Sequence, residues 1–293
     1  MAITTDSVMA DTVPTVLAAA RFTEQFVAEM SALVWKIQKE LHDGKNVNVP
    51  LYGTVVARDL TEGVDNAQSE TMSDALVTIT PGEVGCKLIV TDKLVRDNNE
   101  DIKAAAGRIL GNAMEVKRDQ DLLLQLASAG TTLGAGATMT LGQVAAARAI
   151  AKGNPVSAGG PAPGNLVLIQ HPYVLLDLVD VMTPLVPSAS SVVGGVSGDL
   201  ANDVLRNYGV GRLFGMPVIE DGNIDTTTIA NTAKGGVFAR DAIILATAHE
   251  WDIVPQLDAS LRATELNITG EYGVGIYEAD WMVTMNHDAT LPA

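Results

Sequence analysis

Four histidines (His42, His171, His249 and His287), one cysteine (Cys86) and two glycine-rich runs are where this chain could carry chemistry. A zinc site needs His or Cys ligands at short, recognisable spacings, and no two of these histidines stand at one. His249 is followed directly by Glu250, whereas a zincin helix sets two histidines four residues apart around its glutamate. No histidine joins a recognisable nucleophile–base–acid set. A lone cysteine excludes an intrachain disulfide and a multi-cysteine metal site. Between Gly85 and Lys87 in an apolar strand, Cys86 reads as a small buried residue. The run Gly209-Val210-Gly211-Arg212-Leu213-Phe214-Gly215 has the outline of a dinucleotide loop, as more faintly does Gly134-Ala135-Gly136. In the first, three residues rather than two precede the last glycine. The run then enters Met216-Pro217-Val218, a strand, where a helix N-terminus would be needed to hold a pyrophosphate. There is no Gly-x-Ser-x-Gly elbow and no phosphate loop, and the sequon Asn267-Ile268-Thr269 has meaning only in a secreted chain. No catalytic residue, metal ligand or cofactor is assigned.

The remaining composition narrows the class. Of 293 residues 47% are hydrophobic and only 4% aromatic, so the apolar material is mostly Ala, Val, Leu and Ile. Such a chain can bury part of that surface between subunits. With 35 acidic against 19 basic residues the formal net charge is −16, which argues against the basic footprint of nucleic-acid binding. Twelve of the nineteen basic residues precede Asp119, which leaves the second half apolar and acidic. No apolar run of about 18 residues is present to span a membrane. Met1–Pro14 shows neither a basic n-region nor an apolar h-region, so no signal peptide is read.

The elements that would position these residues follow from periodicity. Phe26, Met30, Leu33, Ile37 and Leu41 recur at three and four, widened by Val27, Val34 and Trp35. This predicts a helix or broken helix over Thr15–His42, stopped at Asp43-Gly44. Val47–Val56 and Asp74–Thr80 alternate as hairpin strands do, with Pro50 marking an edge. Between them lies a loop of both charge signs, Arg58 to Glu70, with Thr61-Glu62-Gly63-Val64-Asp65 at its centre. A third strand is predicted at Lys87–Asp92. A long helix follows over Asn99–Ala127, with caps at Asp97–Asn99, acids in its first turn, and a stripe of Ile102, Ala106, Ile109, Ala113, Val116, Leu123 and Ala127 broken by Gln120. At 1.5 Å per residue it would be about 42 Å long, a strut rather than a core helix. The hairpin has too few apolar residues to bury itself, and an isolated two-stranded arm is marginal in water.

Ser128–Thr140 is rich in Gly, Ala and Thr and reads as a domain boundary. Beyond it are a helix at Leu141–Lys152, a loop, a strand at Leu166–Gln170 and a helix at Tyr173–Val181. A second loop at Pro184–Gly198, a helix at Asp199–Tyr208, strand segments at Met216–Glu220 and Val237–Ala248, and closing strands at Ala263–Gly270 and Gly275–Met285 complete the chain. The class is α+β, with a compact α/β unit in the second half.

The order of these elements resembles the Hong Kong 97-type capsid fold of tailed-bacteriophage major capsid proteins. The likeness rests on the helical arm, a hairpin entered by Val47-Asn48-Val49-Pro50 and carrying Thr61-Glu62-Gly63, the long helix, and the late turn Leu213-Phe214-Gly215-Met216-Pro217-Val218. It implies an N-terminal arm (1–45), an extended-loop hairpin (46–84), a peripheral domain with spine helix (85–134 and 249–293) and an axial domain (135–248). It further implies a structural protein, not an enzyme, forming hexamers and pentamers of itself in an icosahedral shell around double-stranded DNA. That shell would be assembled in a host cytoplasm with portal and scaffolding or decoration proteins, without a membrane. Arg58, Glu62, Gly63, Asp65, Glu70 and Trp35 are then the candidate subunit contacts. No lysine lies between Asn46 and Cys86, so the Lys–Asn crosslink of some relatives is not expected. An encapsulin-like compartment of the same fold is the alternative, and an α/β enzyme a more distant one.

Overall fold

The computed structural model describes residues 29–39, 44–53, part of the loop 55–73, 74–97, 102–155, 159–182, 211–226 and 231–291. The expected arm upstream of Glu29, the loop at 184–198 and the helix at 199–208 lie outside the described residues, as do Arg58 and Glu70. In chain order the elements are α1 (Met30–Leu33), β1 (Trp35–Gln38), β2 (Val47–Tyr52), β3 (Asp74–Ile79), β4 (Gly82–Thr91), α2 (Asp92–Asp97), α3 (Ile102–Gln125), β5 (Thr131–Ala137), α4 (Leu141–Gly153), β6 (Leu166–Gln170), α5 (Pro172–Met182), β7 (Arg212–Leu213), β8 (Met216–Glu220), β9 (Thr232–Ala239), β10 (Ile243–Asp258), β11 (Ala263–Ile276) and β12 (Met282–Asp288). Among the described residues they form a four-stranded sheet β1-β10-β11-β4, a six-stranded sheet β5-β12-β9-β6-β8-β7, and the separate pair β2-β3.

The helix α3 ties the two larger sheets together. Its first half buries Ile102, Ala106, Leu110 and Met114 against Val90, Leu94, Leu266 and Ile268 of the four-stranded side. Its second half gives Leu122 and Leu123 to the core of the six-stranded sheet, with Met139, Leu168, Val237, Phe238 and Val283. The buried ridge therefore runs through Leu110 and Met114. Ile109 and Ala113, which the periodicity placed on the inner stripe, are exposed, as is Ala127. Both ridges were open to the sequence, and the sheet selects the one with the larger side chains. The polar side of α3 is also fastened: Trp251 Nε1 donates to Glu115 Oε1 (2.7 Å) and Tyr272 Oη to Asp121 Oδ2 (2.6 Å). The Arg118 guanidinium lies 5.1 Å from the centre of the Trp251 ring. In α4 a capping box closes the first turn, Gln143 N donating to Thr140 Oγ1 and Thr140 N to Gln143 Oε1.

Several expectations are corrected. The proposed helix over Thr15–His42 gives way at Val34, and Trp35–Gln38 is a strand parallel to β10, with Trp35 opposite Ile244. Aromatic and β-branched residues there suit a half-buried strand, and the free edge of β10 supplies the hydrogen bonds. Thr131–Ala137, read as a boundary loop, is a strand parallel to β12 whose register breaks between Met285 and His287. Its Gly/Ala content hides it from any propensity argument. Cys86 is exposed, on β4, the edge strand of its sheet. The strand expected at Lys87–Asp92 starts earlier, at Gly82, and Asp92 opens α2 instead. The segment Val237–Ala248 spans two strands joined by a turn at Arg240–Ala242. Of the closing strands expected beside the earlier peripheral ones, β11 does pair with β4, whereas β12 joins the six-stranded sheet between β5 and β9.

Candidate functional site: an under-buried hairpin

Among the described residues the pair β2-β3 is held at its root. Val47 faces Ile79 and Val49 faces Val77 across the ribbon. Val49 and Ile79 pack with Ile244 and Ala246 of β10, with Trp35, Ile37 and Tyr277 around them. Ile79 is 3% exposed. It sits on β11 where that strand has no side chains: a Cβ at Gly275 would stand 2.6 Å from Ile79 Cγ1, and one at Gly273 2.8 Å from Ile79 Cγ2. Glycine is required at both positions because the isoleucine occupies the space a side chain would take. Tyr277 Oη donates to Pro50 O (3.3 Å), and the Trp35 and Tyr277 rings meet edge-on at 5.6 Å.

Beyond the root the ribbon is left uncovered by the described residues. Leu76 on β3 is 60% exposed. Tyr52, Val55, Leu60 and Met72 are likewise open to solvent. A two-stranded ribbon needs a third strand or a packed neighbour to be stable, and contiguous exposed apolar residues mark an interaction surface. Asp59, Glu62 and Asp65 are exposed in the described part of the loop, with Gly63 in the left-handed region at φ +79°. Of the six residues singled out from sequence, Glu62, Gly63 and Asp65 lie together near the loop tip, while Trp35 lies at the root against Tyr277. Sequence reasoning passed over a second exposed apolar set at the far end of the β10–β11 ribbon, Ile253, Val254, Leu257 and Leu261. The run Ile253-Val254-Pro255-Gln256-Leu257 carried that signal.

Among the described residues no three His, Cys, Asp or Glu are gathered to hold a metal ion. Burial holds His171 below the ordinary histidine range, and its Nδ1 accepts from Tyr173 N (3.2 Å) at the start of α5. Burial likewise lowers His287, whose Nδ1 lies 2.9 Å from Ala137 O. Burial and then the bond to Asp121 push the Tyr272 hydroxyl upward. The Tyr272 bond joins β11 to α3, and the His287 contact joins β12 to β5. No helix among the described residues is long and apolar enough to cross a membrane.

No protein-family model matches the chain, and no curated protein matches it in sequence. Solved structures do. The chain is similar to "Acidic stable capsid structure of Helicobacter pylori bacteriophage KHP30", at 10% identity and TM-score 0.69 over 99% of each chain. It is similar to "Capsid of Ralstonia phage GP4", at 13% identity and TM-score 0.68 over 93% of this chain and 92% of that one. A third neighbour, "Mycobacterium phage Che8", has 16% identity and TM-score 0.66 over 89% and 91%. This chain has the Hong Kong 97-type capsid fold.

Proposed function

We propose that this chain is the major capsid protein of a tailed phage, assembling through hexamers and pentamers into an icosahedral shell around double-stranded DNA. The observation that carries the reading is agreement of fold with phage capsid subunits along nearly the whole chain. The hairpin supports it, because its apolar outer face has no partner within one subunit among the described residues. In a shell the ribbon lies over a neighbouring copy. Arg58, Glu62, Asp65 and Glu70 set register there, Gly63 allows the turn, and Trp35 braces the root. Single rim pairs add little, and the strength comes from many weak contacts made at once. The arm (1–45), hairpin (46–84), peripheral domain (85–134 and 249–293) and axial domain (135–248) then divide the mechanical roles. Acidic balance suits a wall that must let phosphate slide past during filling and release.

The role is structural and non-enzymatic. Portal and scaffolding or decoration proteins complete the particle, which forms in the host cytoplasm. Sedimentation of the purified protein together with electron microscopy tests the proposal. Megadalton shells or discrete capsomers are expected. A protein that stays monomeric across the concentration range, with no particle on the grid, overturns it.

A further inference from the structure

We infer that Asp119 of α3 together with Asp221 and Asn223, in the turn after β8, forms a binding site for a single divalent cation of the hard, oxygen-seeking kind, Ca2+ above all. Asp119 is 0% exposed, Asp221 2% and Asn223 7%. The donors that reach the two carboxylates are neutral: Met30 N to Asp119 Oδ1 (3.0 Å), Asn223 Nδ2 to Asp119 Oδ2 (2.9 Å) and Asn223 N to Asp221 Oδ1 (2.8 Å). The charged groups that face Asp221 are Asp119 and Glu29, both acidic. Two oxygens in this cluster, Asp221 Oδ2 and Asn223 Oδ1, are shut off from solvent and have no N–H or O–H partner, and the Asp221 carboxyl lies within hydrogen-bond reach of the Asp119 carboxyl. Buried carboxylates without a cationic partner are costly, and so is a buried acceptor left bare.

Two species could relieve the cluster, a proton or a metal ion. Burial and the adjacent Asp119 push the Asp221 carboxyl up to about 7, so a proton shared by the two acids removes one charge. It does nothing for the amide oxygen of Asn223, an acceptor that takes a hydrogen-bond donor or a cation. A cation answers both needs. The spacing fits as well. Asp221-Gly222-Asn223-Ile224-Asp225 places oxygen-bearing side chains at alternate positions, as in the opening of a calcium loop. The rest of such a loop is absent, and Asp119 from α3 stands in its place. Calcium takes about six to eight oxygens, so water and backbone carbonyls supply the remainder. Asn223 and Asp225 also line a groove of about 660 Å3 beside α3, with Gln120, Leu124, Lys117 and Lys234 around it. A bound ion would join the segment at Met30, the strut α3 and the β8–β9 turn. The site is complete within one chain, so its test does not depend on shell assembly.

The test uses full-length protein stripped with chelator, titrated calorimetrically with CaCl2 and, separately, MgCl2, with melting followed in parallel. One Ca2+ per chain and a higher melting temperature are expected, with Mg2+ weaker. Asp221→Asn and Asn223→Ala should each weaken Ca2+ binding roughly tenfold or more. Absence of stoichiometric Ca2+ binding by the wild-type protein overturns the inference even if both variants fail to fold. Undiminished binding in folded variants overturns the location. An Asp221→Asn protein that melts higher, in a chain indifferent to Ca2+, assigns the cluster to a shared proton and also overturns it.

Discussion

Replacing Ile79 with alanine should loosen the hairpin at its root while leaving its outer face intact. Ile79 is 3% exposed and rests on Gly273 and Gly275, which have no side chains to move into the vacated space. The change removes three carbons, and at about 0.8 kcal/mol per buried CH2 the transfer loss is about 2.4 kcal/mol. A cavity over two glycines stays unfilled, so the full cost should be about 3–4 kcal/mol, within the range of large-to-small core substitutions. Leu76 lies three residues away on the same strand but is 60% exposed. Leu76→Ala should cost an isolated subunit about 0.5 kcal/mol or less. Urea unfolding of dissociated subunits, paired with sedimentation after reassembly, separates the two effects. Ile79→Ala should lower the unfolding midpoint. Leu76→Ala should leave the midpoint in place and reduce the yield of particles. Equal destabilisation by both would mean that the outer face is covered within one chain, and an Ile79→Ala cost under about 1 kcal/mol would mean that the root is not packed as described.

Three further outcomes are expected. Gly275→Ala should destabilise by about 1–3 kcal/mol through overpacking on Ile79; combined with Ile79→Ala it should cost less than the sum, because the new methyl enters the vacated space, and strict additivity in denaturant unfolding would contradict that contact. Thr140→Ala removes the capping box of α4 and should cost about 1 kcal/mol, read from the shift in urea midpoint at constant slope. His287 has a pKa lowered by burial, so the unfolded chain binds its proton first as pH falls. Its contribution to stability is then lost below about pH 6.5, by up to about 1.4 kcal/mol per pH unit until the folded pKa is reached. Midpoints compared between wild type and His287→Gln from pH 7.5 to 5 should converge on the acid side, and a constant difference would refute the assignment.

Local signals in this chain were strong wherever one element could be read by itself. The long apolar periodicity around Ile102–Gln125 and the alternation of Val47–Tyr52 against Asp74–Ile79 act over a few residues, and the structure keeps both nearly where the pattern put them. The caps read at Asn98–Asp101 lie outside the described residues. The hairpin's shortage of apolar residues was equally legible, since a deficit of buried material is a property of composition. The seat of the hairpin was not. Gly273 and Gly275 gave no sign that Ile79, nearly two hundred positions upstream, would lie on them. Trp35–Gln38 looked helical because its apolar spacing continued that of Phe26 to Leu33, and only the open edge of β10 converts it to a strand.

From residue types alone came the α+β class, the strut, the ribbon that cannot cover itself, the acidic balance and the lack of a recognisable catalytic motif. These follow from short-range backbone preference and from counting apolar side chains. Tertiary structure alone decided which ridge of α3 is buried, that β12 joins the six-stranded sheet, and that Cys86 faces solvent at an edge. It alone brought Asp119 against Asn223 across 104 positions of chain. Pairings of that kind depend on which surfaces meet once the chain closes on itself, and no neighbouring residue along the sequence carries that information.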